Sequence, residues 1–569
     1  MYKLYTIIFA VYILIILIAF LKRKNFFTSK NQEDRKGQKD PYEEKFFLYM
    51  FSLILFVVLV LRIVNLNSNS YWLDELISVT LSSNASIDTV LKGCMDDIHP
   101  PLYQILLFYY IKFGGDSELS TRLLSVFFGL ISSVVTFLIA KRMFGVKKSM
   151  EIFLLFAVAY FPVYYSQESR SYGLLLLLTL TVNYFFLKSF IAEDKSLPET
   201  DSWKLRNVIL YIIFSILLLL THYYGVLVLV MNALFLVFYI SLTCKFKESI
   251  RQYLKSGLIF AVILGIFYLL WGQVFLDHIE RGAGYEKQKP GGNIFTAFVY
   301  YVLNPNLATS LIKNNVLYLF EICLIAGTLY LFFLIFKKRS RNENIDQKYF
   351  YYAFLFFWLF APFTISFLNS VYSDSSISFR NLIISTPAVI FLVYLTSEKV
   401  VLISLTALTK FIKPLADKFT NFRAVFINYS FLFALIVSSL LFMKVYYYYS
   451  APSKHDVRGA VKTISAESVN FYKDPIIFSS SDGTDRFNYY FEKTDPKLRV
   501  TAFLPPDNYL NVLSEYKTEI ENHKYMILLD VPGWDDNSQV VVDYFKNNFK
   551  LISHRDHLGI NSYVFSLGD

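Results

Sequence analysis

The 569-residue chain is 55% hydrophobic and 18% charged, with a mean hydropathy of +0.42, a balance that excludes an ordinary soluble enzyme and points to a polytopic α-helical membrane protein. Its net charge of +10 would suit nucleic acid, but the bases sit in short loops between apolar runs, so they read as a topology signal and no nucleic-acid partner is expected. Cys94, Cys244 and Cys323 lie too far apart for a disulfide framework or a cysteine zinc site.

An apolar run of about 20 residues crosses about 30 Å of hydrocarbon. The first, Leu4–Leu21, is followed by Lys22, Arg23 and Lys24 and a charged stretch to Lys45. Its positive charge follows the apolar run instead of preceding it, so it reads as a span with its N-terminus outside and not as a signal peptide. Phe46–Leu66 returns and delivers residues 67–118, where acids outnumber bases, to the outer side. The alternation continues through Leu119–Ala140, Ile152–Tyr165, Gly173–Phe190, Val208–Leu220, Val226–Leu242, Gly257–Val274, Val316–Phe336, Tyr349–Leu368, Leu382–Thr396 and Ala424–Val445, with basic loops such as 245–255 inside. Val400–Ile412 is too short to count, which gives about 12 spans with both termini outside.

From residue 451 the pattern changes to short strands at Pro475–Phe478, Arg499–Phe503, Tyr525–Leu529 and Tyr563–Phe565, with helices near 456–466, 508–522 and 536–548. The expected organisation is an N-terminal span and basic linker (1–45), a transmembrane catalytic domain (46–450) and a C-terminal soluble α/β domain (451–569) on the same side as loop 67–118.

The polar residues that carry chemistry gather at that side. Asp74 and Glu75 follow the interfacial pair Tyr71-Trp72 at the start of an expected amphipathic helix. Neighbours on a helix diverge by about 100°, so one carboxylate can face a cavity while the other faces a positive partner. A carboxylate within reach of a substrate hydroxyl can act as a base. Asp96, Asp97 and His99 precede Pro100, which suits the first turn of a helix through Leu102–Ile111. For these three a divalent cation, an acceptor contact and a structural turn all stay open. In Ser166–Tyr172, Gln167, Glu168 and Arg170 interrupt an apolar helical pair; Arg170 can pair with Glu168 or clasp a phosphate. Arg62, Arg122, His222, Arg281, Lys287, Lys289 and Arg380 lie at the same level. Singly they read as snorkelling anchors, and together as a cationic surround for an anionic lipid head group.

The ordered set Trp72-Leu73-Asp74-Glu75, His99-Pro100-Pro101-Leu102-Tyr103, Ser166 to Tyr172, Thr221-His222-Tyr223 and Phe379-Arg380-Asn381, with Lys454 to Ala460 after the last span, resembles the GT-C membrane glycosyltransferases. It is most similar to the bacterial branch akin to protein O-mannosyltransferases and lipid A aminoarabinose transferase. The resemblance covers residues 46–465 and implies transfer of one sugar from a polyprenyl-phosphate donor to a lipid, polysaccharide or protein acceptor outside the plasma membrane. It implies Asp74 as the base, with Glu75 or Asp97 near the developing positive charge. Arg170, then Arg380, are implied on the leaving phosphate with His222 and Tyr172, and Asp97, His99, Gln167 and Glu168 against substrate. The alternative from another class is a transporter or flippase that exchanges no bond; no pair of Gly/Pro-broken helices at matching positions of two halves supports it.

Overall fold

The structure, a computed structural model, describes residues 41–191, 205–281, 315–341, 343–372, 378–396, 455–532 and 538–567, with 295, 298, 299 and 302 besides. The expected spans Leu4–Leu21 and Ala424–Val445, the segment Val400–Ile412, and Lys287, Lys289 and Lys454 lie outside the described residues. The chain falls into two compact units, residues 1–53 and 54–569. In the first, residues 41–53 form the opening of a helix that spans Pro41–Ile63; the other described elements belong to the second.

Among the described residues five helices are long and apolar enough to cross a membrane: Glu118–Val158, Tyr172–Phe190, Gly225–Thr243, Phe246–Arg281 and Gln347–Tyr372. The first is two helices joined at Gly145, whose φ of 81° is a left-handed conformation that glycine adopts without a Cβ penalty. The fourth begins eleven residues ahead of the expected span start at Gly257, taking in the basic 246–255 stretch. Its Lys, Glu, Arg and Gln residues are good helix formers, so the charge that marks a span boundary does not mark a helix boundary. A π-helical turn at Tyr268–Gly272 interrupts it before Gln273–Arg281. Aromatic rings tie the bundle together: Phe354 stacks on Phe186 at 5.8 Å and meets Phe235 edge-on at 5.2 Å, which joins three of the five helices in one core.

Residues 67–118 form a packed three-helix insertion, Leu73–Ser82, Ile87–Asp96 and Leu102–Gly114. Ser86 caps the second by accepting from the Thr89 amide at 3.2 Å. Gly115, at φ 76°, ends the third.

The C-terminal residues build a mixed five-stranded sheet from β1 (Ile476–Ser479), β2 (Val500–Phe503), β3 (Tyr525–Asp530), β4 (Lys550–Asp556) and β5 (Asn561–Ser566), ordered β2-β1-β3-β5-β4. β1 runs parallel to β2 and β3, while β5 pairs antiparallel with β3 and β4. Ile476, Phe478, Met526, Leu528 and Phe565 pack on Val541, Val542 and Phe545 of the Ser538–Asn548 helix. Two elements were not expected from the sequence. β4 is a polar, mostly exposed edge strand without an apolar face. Thr484–Thr494 has low hydropathy overall, but Phe487, Tyr490 and Phe491 recur at helical spacing on its buried side.

Candidate active site

The helix that carries Asp74 is fixed at its start by its own third residue. Glu75 reaches back to the Trp72 amide (3.4 Å), as glutamate does at this position of a helix. Asp74 and Glu75 then point in different directions. The Glu75 carboxylate is fully buried and forms a two-pronged ion pair with Arg122, Nε to Oε1 at 2.9 Å and Nη2 to Oε2 at 2.8 Å, while the Ser169 amide donates to Oε1 at 2.9 Å. Arg122 also donates to the carbonyls of Leu66, Asn69 and Ser70. Glu75 thus anchors the insertion to the Glu118–Val158 helix and to residue 169, a structural task in place of the substrate-facing one expected of it.

Asp74 stays partly open, its side chain 23% exposed. Its Oδ2 accepts from Arg380 Nη1 at 2.7 Å and lies 3.9 Å from Arg170 Nη2. Among the described residues Oδ1 takes no hydrogen bond, so one carboxylate oxygen is held and the other is open. Arg170 is nearly buried. Its Nη1 donates to the Asp74 carbonyl (3.0 Å) and to Ser78 Oγ (2.7 Å), and its Nη2 faces His99 Nε2 at 3.4 Å. Arg380 is more open, 30% exposed, and lies over the Trp72 and Tyr172 rings. Trp358 pins the turn after it, donating from Nε1 to Ile384 O at 2.7 Å and accepting from Ser385 Oγ at 3.2 Å through its carbonyl.

The segment with Pro100 and Pro101 brings the second acid group beside the turn that holds His222, because the following amide, Leu102 N, donates to Leu220 O (2.9 Å). His99 and His222 meet edge-on at 5.9 Å, and Tyr172 lies 6.0 Å from His222. His99 Nδ1 donates to Asp97 Oδ2 at 3.0 Å, the tautomer that leaves Nε2 to accept from Arg170. Burial alone would raise the Asp97 carboxyl, but the His99 hydrogen bond, the Ile98 amide and the Arg170 charge hold it below the ordinary carboxylate range. His222 is held neutral, well below the ordinary imidazole range, by burial first, with the charges of Arg170 and Arg380 adding to it. Its Nδ1 accepts from the Tyr224 amide at 3.2 Å, so the ring carries its proton on Nε2.

This neutral state has a pH signature. The unfolded chain protonates His222 below about 6.5, the folded chain only at lower pH, so folding stability is whole above that value and falls as pH drops below it. Thermal unfolding scanned from about pH 7.5 to 5.5 should show this loss, and His222→Gln should flatten it. An unchanged slope in the variant would contradict the neutral assignment.

Several expected site residues lie elsewhere. Gln167 spends its amide on the carbonyls of Leu61, Arg62 and Val64 at the end of the Pro41–Ile63 helix. Glu168, by contrast, is 2% exposed and stays within electrostatic reach of Tyr172, and its carbonyl accepts from the Arg170 amide at 2.8 Å. Asp96 lies at a helix end whose carbonyls, its own and that of Met95, accept from Arg281, with His278 also on Met95. The described residues contain no group of three His, Cys, Asp or Glu able to hold a metal ion, so Asp96, Asp97 and His99 do not gather into a cation site. Arg62 and Arg122 are buried and do not snorkel. One residue within electrostatic reach of Asp74 was missed: Arg486 of the Thr484–Thr494 helix, whose guanidinium burial pulls down to about 10 against the charges of Asp482 and Asp74.

No protein-family model matches the sequence, and no curated protein does. Solved structures do. ArnT from Cupriavidus metallidurans in the apo state, a GT-C glycosyltransferase, aligns over 93% of this chain and 98% of its own at 12% identity, with a TM-score of 0.50. The chain has the GT-C membrane fold. Two further GT-C structures align less closely. The same ArnT bound to undecaprenyl phosphate aligns over 92% of this chain and 98% of its own at 12% identity, TM-score 0.48. The oligosaccharyltransferase AglB from Archaeoglobus fulgidus, in complex with an inhibitory peptide and a dolichol-phosphate, aligns over 92% of this chain and 74% of its own at 12% identity, TM-score 0.47.

Proposed function

We propose that the chain is a glycosyltransferase that moves a single sugar from a polyprenyl-phosphate carrier to an acceptor hydroxyl at the outer face of the plasma membrane. The observation that carries this reading is the Asp74 carboxylate, with Oδ2 held by Arg380 beside Arg170 and Oδ1 without a hydrogen bond among the described residues. An acceptor hydroxyl at Oδ1 gives its proton to the carboxylate as its oxygen bonds to the anomeric carbon of the donor. The bond from that carbon to the phosphate oxygen breaks, and its electron pair leaves with the polyprenyl phosphate. Charge that develops on the phosphate meets the guanidinium groups, which are already oriented for it. Inversion at the anomeric carbon results from a single displacement.

The hydrogen bonds favour different tasks for the two arginines. Both outer nitrogens of Arg170 already face Asp74, Ser78 and His99, which suits an organiser of the base. Among the described residues Arg380 makes one hydrogen bond, to Asp74, which leaves further N–H groups for a phosphate, as a planar fork does. We therefore place Arg380 first on the phosphate, with Tyr172 and the Nε2 proton of His222 alongside. In this reading residues 46–450 form the catalytic membrane domain within about 12 spans, and residues 451–569 an extracytoplasmic domain. Arg380→Ala should weaken binding of undecaprenyl phosphate to the purified chain in nanodiscs about 10- to 100-fold, the loss of a charge-assisted contact. Wild-type affinity in that variant would move the phosphate site elsewhere.

A further inference from the structure

The turn that precedes the Asp74 helix is gripped from two sides. On one, Arg122 of the membrane bundle holds the carbonyls of Leu66, Asn69 and Ser70. On the other, residues almost 400 positions away in the C-terminal α/β layer hold the same turn. Arg458 donates to Asn67 through both its outer nitrogens, 3.2 Å to Oδ1 and 2.8 Å to the carbonyl. Its amide donates to Ser70 Oγ at 3.0 Å, and Ser70 Oγ donates to Asp456 Oδ1 at 3.2 Å. The buried contact is made by Tyr490. Its buried hydroxyl accepts from the Tyr71 amide at 2.8 Å and donates to Glu118 Oε1 at 2.7 Å, and Arg458 completes an ion pair with that carboxylate at 3.3 Å. Tyr489 and Lys493, one face of the same helix, take Asp116 at 3.0 Å and 2.6 Å.

Tyr71 is itself fixed at its far end, where its hydroxyl contacts Asp116 O (2.9 Å) and Thr121 Oγ1 (2.6 Å). The backbone from Tyr71 to Trp72 leads directly into the first turn that carries Asp74. With the Tyr71 side chain and amide both held, that turn has one place to start.

We infer that Tyr490 is a positioning residue for the reaction: the C-terminal layer, through this hydroxyl, sets where the Asp74 carboxylate stands relative to Arg380. The inference rests on Asp74 acting as the base. It makes the C-terminal layer part of the catalytic apparatus. Donor affinity stays apart from it, because Arg380 and Tyr172 belong to other elements, and so the effect falls on turnover and not on binding. A displacement of about 1 Å at a reacting group costs up to about 100-fold in rate.

The test uses the full chain in nanodiscs, with undecaprenyl-phosphate hexose and pentose donors and an envelope extract as the acceptor pool. Release of undecaprenyl phosphate is followed by mass spectrometry. Tyr490→Phe keeps the ring and removes both hydrogen bonds; kcat is expected to fall about 10-fold, with donor KM and undecaprenyl phosphate affinity unchanged. Arg458→Gln, which keeps Tyr490 in place, is expected to show the same split at smaller size. Lys517→Ala, on an exposed side chain of the same layer, is expected to match wild type. Rates are taken per folded molecule, so reduced folding alone leaves kcat unmoved. Wild-type kcat in both Tyr490→Phe and Arg458→Gln, in a preparation whose wild type turns over, overturns the positioning role and leaves the transferase reading standing. A folded wild type that neither binds nor releases undecaprenyl phosphate overturns both.

Discussion

Asp74→Asn is expected to lower turnover about 10²- to 10⁴-fold, the usual contribution of a positioned general base. The substitution is nearly isosteric, so Arg380 and Arg170 keep an oxygen to face. The loss is the capacity of the second oxygen to take a proton from an acceptor hydroxyl. Undecaprenyl phosphate binding should be preserved or strengthened, because the arginines lose a competing anion while keeping their positions. A variant that loses binding and turnover together would make Asp74 a structural partner of the arginines and not the base. The measurement is a kcat determination beside a binding isotherm on the same preparation.

Glu75→Ala is expected to destabilise the folded chain by about 3–5 kcal/mol, the cost of leaving one partner of a buried pair uncompensated. Both partners are almost fully buried, and the pair makes two short parallel hydrogen bonds. Arg122 would keep its three carbonyl contacts, yet another nearby carboxylate, Glu118, is already engaged by Tyr490 and Arg458. Removal of Glu75 also strips the Ser169 amide and the start of the Asp74 helix of their acceptor. Thermal unfolding in nanodiscs reads the effect directly. A double variant, Glu75→Leu with Arg122→Met, should recover much of the loss, since two apolar groups of similar size leave no buried charge. A single variant as stable as wild type would show that the pair is solvated.

These two neighbours show what can be read from residues in order and what cannot. That adjacent carboxylates on a helix diverge is a consequence of helix geometry, and the sequence places both at the start of one. That the positive partner is Arg122, 47 residues on, is a tertiary fact. An arginine at the edge of an apolar run has the same local pattern whether it snorkels or is buried. The long apolar runs were legible because the hydrocarbon thickness imposes a length. The helical 246–255 stretch was not, since charge marks where a span ends and helix propensity decides where a helix ends. Trp72 to Glu75, His99 to Tyr103, Ser166 to Tyr172, His222 and Arg380 stand out as polar groups where apolar sequence is the rule, and the fold gathers Asp74, His99, Arg170, His222 and Arg380 into one cluster. Within those motifs, Gln167 turned out to cap a helix end, which its spacing could not reveal. Tyr490 and Arg486 carry no such contrast. They sit in a polar stretch of ordinary composition, and only the docking of the C-terminal layer gives them a place near Asp74.

The transferase reading and its transport rival differ in one observable, whether a bond is exchanged. The most direct measurement is mass spectrometry of wild-type nanodiscs incubated with undecaprenyl-phosphate sugars and envelope extract. Free undecaprenyl phosphate is expected to appear in step with an acceptor heavier by one sugar residue, and Asp74→Asn is expected to slow both about 10²- to 10⁴-fold. Lipid-linked sugar that crosses the bilayer of a sealed vesicle intact, with no undecaprenyl phosphate released, would contradict the transferase reading.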